Sequence, residues 1–322
     1  MAKLKKDTLK KENILDFLEI ESSFQFEIKV LNTLNDFFNK DRVFKNYKQN
    51  HGGIYIDPIT NKPREFDIRV EADFTTDTID EYRGINRNIK LAVECTNLKD
   101  YNPLVFHSTR REYFEKFHYL IAQKKWNASL SHRIRHDNIK SVVWCKKIKG
   151  KYSPYANDFV GKSSCILGIN EDQKDKNKRF STNDAAFYSK LMQSLNSAEQ
   201  FIEIPQYLDT TAIKDSFMAI IPIVVVPNNC LWDVQYKDYK GKEKIVGEPI
   251  NTDHIQYLYN KEFYINYCSN ETFKPEYSQH KVPFAFSHVD IVTLKGLTEL
   301  LKKYFNKDDD EMSIFKGQDL LK

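Results

Sequence analysis

Three carboxylates stand where packing alone gives them little purpose: Glu27, Asp67 and Glu94. In KLAVECTNLKD, residues 90–100, Glu94 interrupts the apolar run Leu91-Ala92-Val93, and Thr96 follows on the same face of the strand. In REFDIRVEADF, Phe66, Ile68, Val70 and Ala72 alternate with Glu65, Asp67, Arg69 and Glu71, which puts Asp67 on the polar face of a second strand. Glu27 falls near the centre of the apolar arc of a helix that starts from Ser22 or Ser23 and runs to about Asn39. A buried carboxylate is costly unless it is paired, and gathered carboxylates raise one another's pKa. A hard divalent cation resolves both costs. Mg²⁺ takes carboxylate, water and phosphate oxygens as ligands, and Mn²⁺ suits the same set. Such an ion lowers the pKa of a water and neutralises charge on a phosphodiester. The competing accounts are a salt bridge from Glu27 to Arg64 or Arg69, and a solvated acidic face for Asp67 and Glu94. Glu65 and Glu71 share the face of Asp67 and are read as structural.

Elements must hold those acids in place. IYI and EFDIRVEAD read as two strands of a hairpin joined by DPITNKP. NPLVFHSTRREYFEKFHYLIAQKKW reads as a loop entering a helix, with Phe106, Tyr113, Phe114, Phe117, Leu120 and Ile121 as its stripe. SVVWC is a short strand, DAAFYSKLMQSLNSAEQFIE an amphipathic helix, and MAIIPIVVVP a continuous apolar strand of the kind central to a mixed sheet. LWDVQY and KIVGE suggest a hairpin, and PFAFSHVDIVTLKGLTELLKKYF a strand feeding a last helix. Residues 1–20 read as an N-terminal arm, about 150–185 as a polar insertion, and KDDDEM as part of a flexible tail. No repeat or linker divides the chain. The expectation is one α/β domain over 1–322, its core spanning about 22–305, built as a central mixed sheet flanked by helices.

The 322 residues can bury a substantial core, and 41% hydrophobic with 29% charged residues is ordinary for a soluble protein. A net charge of +4 permits a nucleic-acid partner without demanding one. The most basic zone holds Arg110, Arg111, Lys124, Lys125, Arg133 and Arg135, which could contact a phosphate backbone or form a charged face. His132 and His136 have the spacing of a helical zinc pair but no neighbouring glutamate, so they read as a basic turn. Five singly spaced cysteines suggest reduced thiols and a cytoplasmic setting. No secretory h-region and no run approaching the ~18 apolar residues of a membrane span is present. P-loop and GxGxxG patterns are missing too.

REFDI followed by LAVECTN resembles the PD-(D/E)xK, or restriction-endonuclease-like, nuclease superfamily: a strand acid, then Glu-x-Lys on the next strand, often with a preceding helix glutamate. GGIYIDPITNKPREFDI, VECTN…NPLVF, IPIVVVPNNCLWDV and HVDIVTLKGLTELL are similar, in the same order, to uncharacterised bacterial members, over roughly residues 22–305. The resemblance implies a restriction-endonuclease-like fold and a Mg²⁺-dependent nuclease acting on DNA, with Mn²⁺ as a substitute. It implies Asp67, Glu94 and Glu27 as metal ligands. It also implies a homodimer or a partner protein, and a place in bacterial antiviral defence. Thr96 departs from the pattern, because it occupies the lysine position. A hydroxyl can help to orient an attacking water but cannot offset transition-state charge, so Lys99 or Lys90 would have to serve. The other outcome is a nuclease-fold protein that has lost catalysis and acts as a nucleic-acid-binding or assembly module.

Overall fold

The computed structural model describes residues 10–16, 24–40, 46–75, 86–98, 102–112, 115, 117–127, 139–149, 159–169, 180–182, 185–200, 202, 216–239, 242–245, 247–268 and 279–305. The helices are α1 (Lys11–Asp16), α2 (Phe24–Lys40), α3 (Ala185–Gln200) and α4 (Leu294–Tyr304). The first strands are β1 (Asn46–His51), β2 (Ile54–Ile56), β3 (Pro63–Glu65), β4 (Ile68–Thr75), β5 (Asn86–Cys95), β6 (Leu104–Arg110), β7 (Phe117–Asn127) and β8 (Ile139–Lys149). Then come β9 (Phe159–Ile169), β10 (Phe180–Thr182), β11 (Ser216–Val226), β12 (Leu231–Tyr239), β13 (Lys242–Ile245), β14 (Ile250–Asn251), β15 (His254–Cys268) and β16 (Gln279–Thr293).

One mixed sheet carries the fold, with the main strand order β1-β4-β5-β11-β16-β15-β9-β6-β12-β13, while β2 and β3 form a small sheet of their own. β11 runs parallel to both β5 and β16, and β4 runs antiparallel to β5. Those neighbours explain why SFMAIIPIVVV is apolar throughout: a strand flanked on both edges and covered on both faces has no solvent side.

The sheet separates two cores. On one face Leu91, Val93 and Cys95 of β5 meet Ile68, Val70 and Ala72 of β4 and the apolar sides of α2 and α4. Val30, Leu34 and Phe38, one turn apart, form the buried stripe of α2. Phe38 stacks on Tyr47 at 4.7 Å between ring centroids and meets Phe305 edge-on at 5.2 Å. On the other face Ala92 of β5 lies in a core with Phe187, Leu191, Leu195 and Ala198 of α3. Alternation along β4 and β5 thus decides which side chains look towards α3, and Asp67 and Glu94 are among them.

The α4 side holds a buried polar network. Asp290 accepts from Tyr304 Oη at 2.5 Å and from Gln256 Nε2 at 3.3 Å, and pairs with His254 Nε2 at 2.7 Å. Burial alone would push the Asp290 carboxyl up. The His254 hydrogen bond and charge, the nearby His288 and the Tyr304 hydroxyl outweigh it and hold the carboxyl below its ordinary value.

The expected α/β architecture, a mixed sheet with helices on both faces, is what the structure has. Three local expectations change. The segment read as a helix through Phe106 and Ile121 is the two strands β6 and β7. Burial alternates along β6, with Leu104, Phe106 and Ser108 inward, a pattern of period two that a helix cannot supply. EFDIRVEAD is divided at Phe66 and Asp67: β3 closes the small hairpin, and β4 starts anew at Ile68. Within the supposed insertion at 150–185, β9 pairs with β6 and β15 inside the large sheet.

Candidate active site

Asp67 stands just before β4 and Glu94 one residue before the end of β5, where the ladder pairs Ile68 with Val93. The two acids are therefore cross-strand neighbours at the end of that ladder. Their backbones and side chains interlock: Cys95 N donates to Asp67 Oδ2 at 2.7 Å, and Asp67 N donates to Glu94 Oε1 at 3.4 Å.

A cation completes the group, and it comes from α3. Lys190 Nζ donates to Asp67 Oδ2 at 2.8 Å, to Asp67 Oδ1 at 3.0 Å and to Glu94 Oε2 at 3.2 Å. Phe187 and Leu191 seat α3 on the sheet. One turn past Lys190, the Ser194 hydroxyl is shared between the carbonyls of Ala92 and Ile223, each at 3.2 Å. Pro222, level with Ala92 in the ladder, has no N–H to contribute there. Arg69 ties the other end of the helix, donating to Ser197 Oγ and Ser197 O, each at 3.1 Å.

The electrostatics follow from burial. Glu94 is 0% exposed, and burial followed by repulsion from Asp67 pushes its carboxyl well above the usual range, with Lys190 pulling it back. Burial opposes the charge on Lys190, but the two carboxylates win and raise its pKa, so the ammonium persists across the neutral range. With all three groups ionised, one negative charge remains uncompensated. Cys95, on the opposite side of β5, is held as a thiol by burial and then by Asp67, Glu27 and Glu94.

A hairpin closes one flank. Gly52 N donates to Asp67 O at 2.8 Å and Phe66 N to Gly53 O at 3.0 Å, fastening β2 and β3 to the start of β4. Asp57 accepts from the N–H groups of Ile59 and Thr60, each at 2.9 Å, and from Asn196 of α3 at 3.3 Å. Tyr55 points inward from β2, with the Arg69 guanidinium 5.7 Å from its ring centroid.

The structure brings Asp67 and Glu94 together and sends Glu27 elsewhere. Glu27 rises from α2, across the sheet from α3, and its Oε2 lies 3.7 Å from His51 Nε2. Among the described residues no group of three or more His, Cys, Asp and Glu side chains is arranged to hold a metal ion. Arg64 pairs with Asp57 at 3.8 Å rather than with Glu27. Thr96 is buried, and its N–H is spent on Val225 O at 3.0 Å. Lys90 is buried beside Glu71, 3.6 Å away, and Lys99 lies outside the described residues. Among the described residues the cation that reaches both acids is thus Lys190, which neither motif nor spacing along β5 could reveal.

The basic zone divides. Arg110 is exposed at the end of β6. Arg111 is buried, donating to Glu115 O at 3.0 Å and to the side chain of Gln256, so it serves the interior and not a phosphate backbone. Lys124 and Lys125 fall on β7, and Arg133 and Arg135 lie outside the described residues. Among the described residues no helix is long and apolar enough to cross a membrane, and Cys95 and Cys230 are buried free thiols. Comparison with protein-family models, with curated proteins and with solved structures gave no match.

Proposed function

We propose that Asp67, Glu94 and Lys190 form the catalytic group of a metal-dependent nuclease that hydrolyses DNA phosphodiesters on a restriction-endonuclease-like core. The observation that carries this reading is the Lys190 ammonium within 3.2 Å of both carboxylates. It supplies from α3 the positive charge that Thr96 lacks on β5. Two neighbouring carboxylates with one uncompensated charge suit a hard cation, because Mg²⁺ is commonly held by one or two carboxylates plus waters and substrate phosphate. Asp67 and Glu94 would hold it, and it would supply charge neutralisation at the phosphodiester and a more acidic water.

The protein groups have separate tasks. Asp67 is fixed by the Cys95 N–H, so its free lone pairs keep one direction. Glu94, buried and repelled by its neighbour, gains most from a cation. Lys190, kept protonated, acts as a positive donor towards the transferring phosphoryl oxygens rather than as a base. The test is cleavage of single- and double-stranded DNA and RNA with Mg²⁺ or Mn²⁺. Asp67→Asn, Glu94→Gln and Lys190→Met should each lower the rate by about 100-fold or more, with nucleic-acid binding retained. If the wild type is inert on every substrate, the triad is a structural ion pair, and the chain is a binding or assembly module.

A further inference from the structure

We propose that Arg69 is a positioning residue of this site: its grip on Ser197 sets the roll of α3 that lays the Lys190 ammonium on Asp67 and Glu94. The inference rests on the nuclease reading above and adds a residue to it. Stepping about 100° per residue along α3, Ser194 falls about 40° from Lys190 and Ser197 about 20° to its other side. The apolar residues Phe187, Leu191, Leu195 and Ala198 form a separate stripe, centred about 90–100° away. The helix therefore lays two seams on the sheet, one apolar and one polar, and Lys190 belongs to the polar one.

Each member of the polar seam has a partner on the sheet. Ser194 Oγ donates to the carbonyls of Ala92 and Ile223, each at 3.2 Å. Arg69 Nε donates to Ser197 Oγ and Arg69 Nη2 to Ser197 O, each at 3.1 Å. Arg69 comes two residues after Asp67, about 7 Å further along the extended chain, and opposes Ala92 in the β4–β5 ladder. Ser197 comes two turns after Lys190, about 10 Å along the helix axis. Acid and ammonium meet at one end of the seam, guanidinium and serine at the other.

A single hydroxyl at Ser194 is a pivot about which a helix can still roll. A roll of about 20° carries a group about 6 Å from the axis through about 2 Å. That is enough to break the Lys190 contacts, which are 2.8 Å to Asp67 and 3.2 Å to Glu94. A second attachment removes the freedom, and a two-pronged one removes it best. The planar guanidinium offers two donors in a fixed fork, which a lysine in its place lacks. Arg69 is itself braced, its guanidinium carbon 4.2 Å from the Phe66 ring centroid and 5.7 Å from that of Tyr55. Phe66 N in turn donates to Gly53 O at 3.0 Å, and Gly52 N to Asp67 O at 2.8 Å. The stretch of chain that bears the first acid thus also bears the clamp on the helix that bears the lysine.

Arg69→Lys keeps the charge and loses the fork, and Ser197→Ala loses one acceptor while leaving Arg69 in place. The test is timed reductive methylation of Lys190, read by peptide mass spectrometry, beside cleavage kinetics on DNA. An amine released from two carboxylates reacts faster, so both variants should methylate Lys190 about 3- to 10-fold faster than the wild type. Their kcat should fall about 10-fold with KM for DNA unchanged. Cys95, fully buried on the opposite face of β5, should stay closed to thiol reagents, whereas a fold loosened as a whole would open it. An unchanged Lys190 rate, an unchanged kcat, or Lys190 and Cys95 opening together overturns the inference and leaves the nuclease reading standing. In a wild type that cleaves nothing the nuclease reading falls, and the Lys190 rate alone decides whether Arg69 places the ammonium.

Discussion

Lys190 is the residue on which the chemistry turns, and its position sets up a competition. The ammonium donates to the same carboxylate oxygens that a divalent cation would use, so ion and ammonium cannot both hold their closest contacts. Lys190→Met should therefore bind Mn²⁺ more tightly than the wild type while losing cleavage, by about tenfold if one ammonium–carboxylate contact worth 1–2 kcal/mol is relieved. Glu94→Gln should bind it more weakly. Isothermal titration with Mn²⁺ alone checks both, and equal affinities in all three proteins would refute the competition. Asp67 and Glu94 were legible in the sequence because strand alternation is local: a carboxylate among Leu91, Ala92 and Val93 announces itself. Lys190 was not, for it is separated from Glu94 by 96 positions and looks like an ordinary edge lysine on an amphipathic helix.

The elements around the site explain how it is kept rigid. α3 is fixed by apolar contacts at Phe187, Leu191, Leu195 and Ala198 and by the polar contacts of Ser194 and Ser197. α4 braces the opposite layer. Its N-cap is Thr293, whose hydroxyl accepts from Gly296 N at 3.0 Å. A Cβ at Gly296 would lie 1.8 Å from Asp253 O, a backbone atom just ahead of β15. Gly296→Ala should therefore destabilise the fold by about 3 kcal/mol, measured by urea unfolding; a change below about 1 kcal/mol would show that the helix start yields freely.

The Asp290 network joins β15, β16 and α4, and its contribution depends on pH. Because the folded pKa is depressed, its stabilisation is present above the ordinary carboxylate range and is lost as pH falls through the folded value. Tyr304→Phe removes one donor to Asp290, and should cost about 1–3 kcal/mol at pH 7, with the gap to wild type narrowing below about pH 4. A gap independent of pH would mean that the carboxylate is not what the hydroxyl stabilises. Helices α2, α3 and α4 and strands β5 and β11 follow from periodicity. β6 and β7 did not, because runs such as LVFHSTR and FHYLIAQ satisfy a helical stripe by chance, and sheet pairing with β9, β11 and β12 decides the matter.

For the molecule as a whole, the large mixed sheet sorts polar chemistry by face. The α3 face gathers Asp67, Glu94 and Lys190 beside the β2–β3 hairpin, and the α4 face gathers the network around Asp290. Glu27 shows what a sequence cannot fix. Its helix was legible, but whether its carboxylate reaches the two strand acids or His51 depends on how α2 rotates as Val30, Leu34 and Phe38 find the core. The claim that two strand acids and a helix lysine make a cation-dependent hydrolytic centre is tested most directly by a crystal structure soaked in Mn²⁺. It should show an anomalous peak within ordinary ligand distance, about 2.0–2.4 Å, of oxygens from both Asp67 and Glu94, with the Lys190 ammonium moved off them. No peak at the acid pair under saturating Mn²⁺, with Lys190 still bridging both carboxylates, would contradict it.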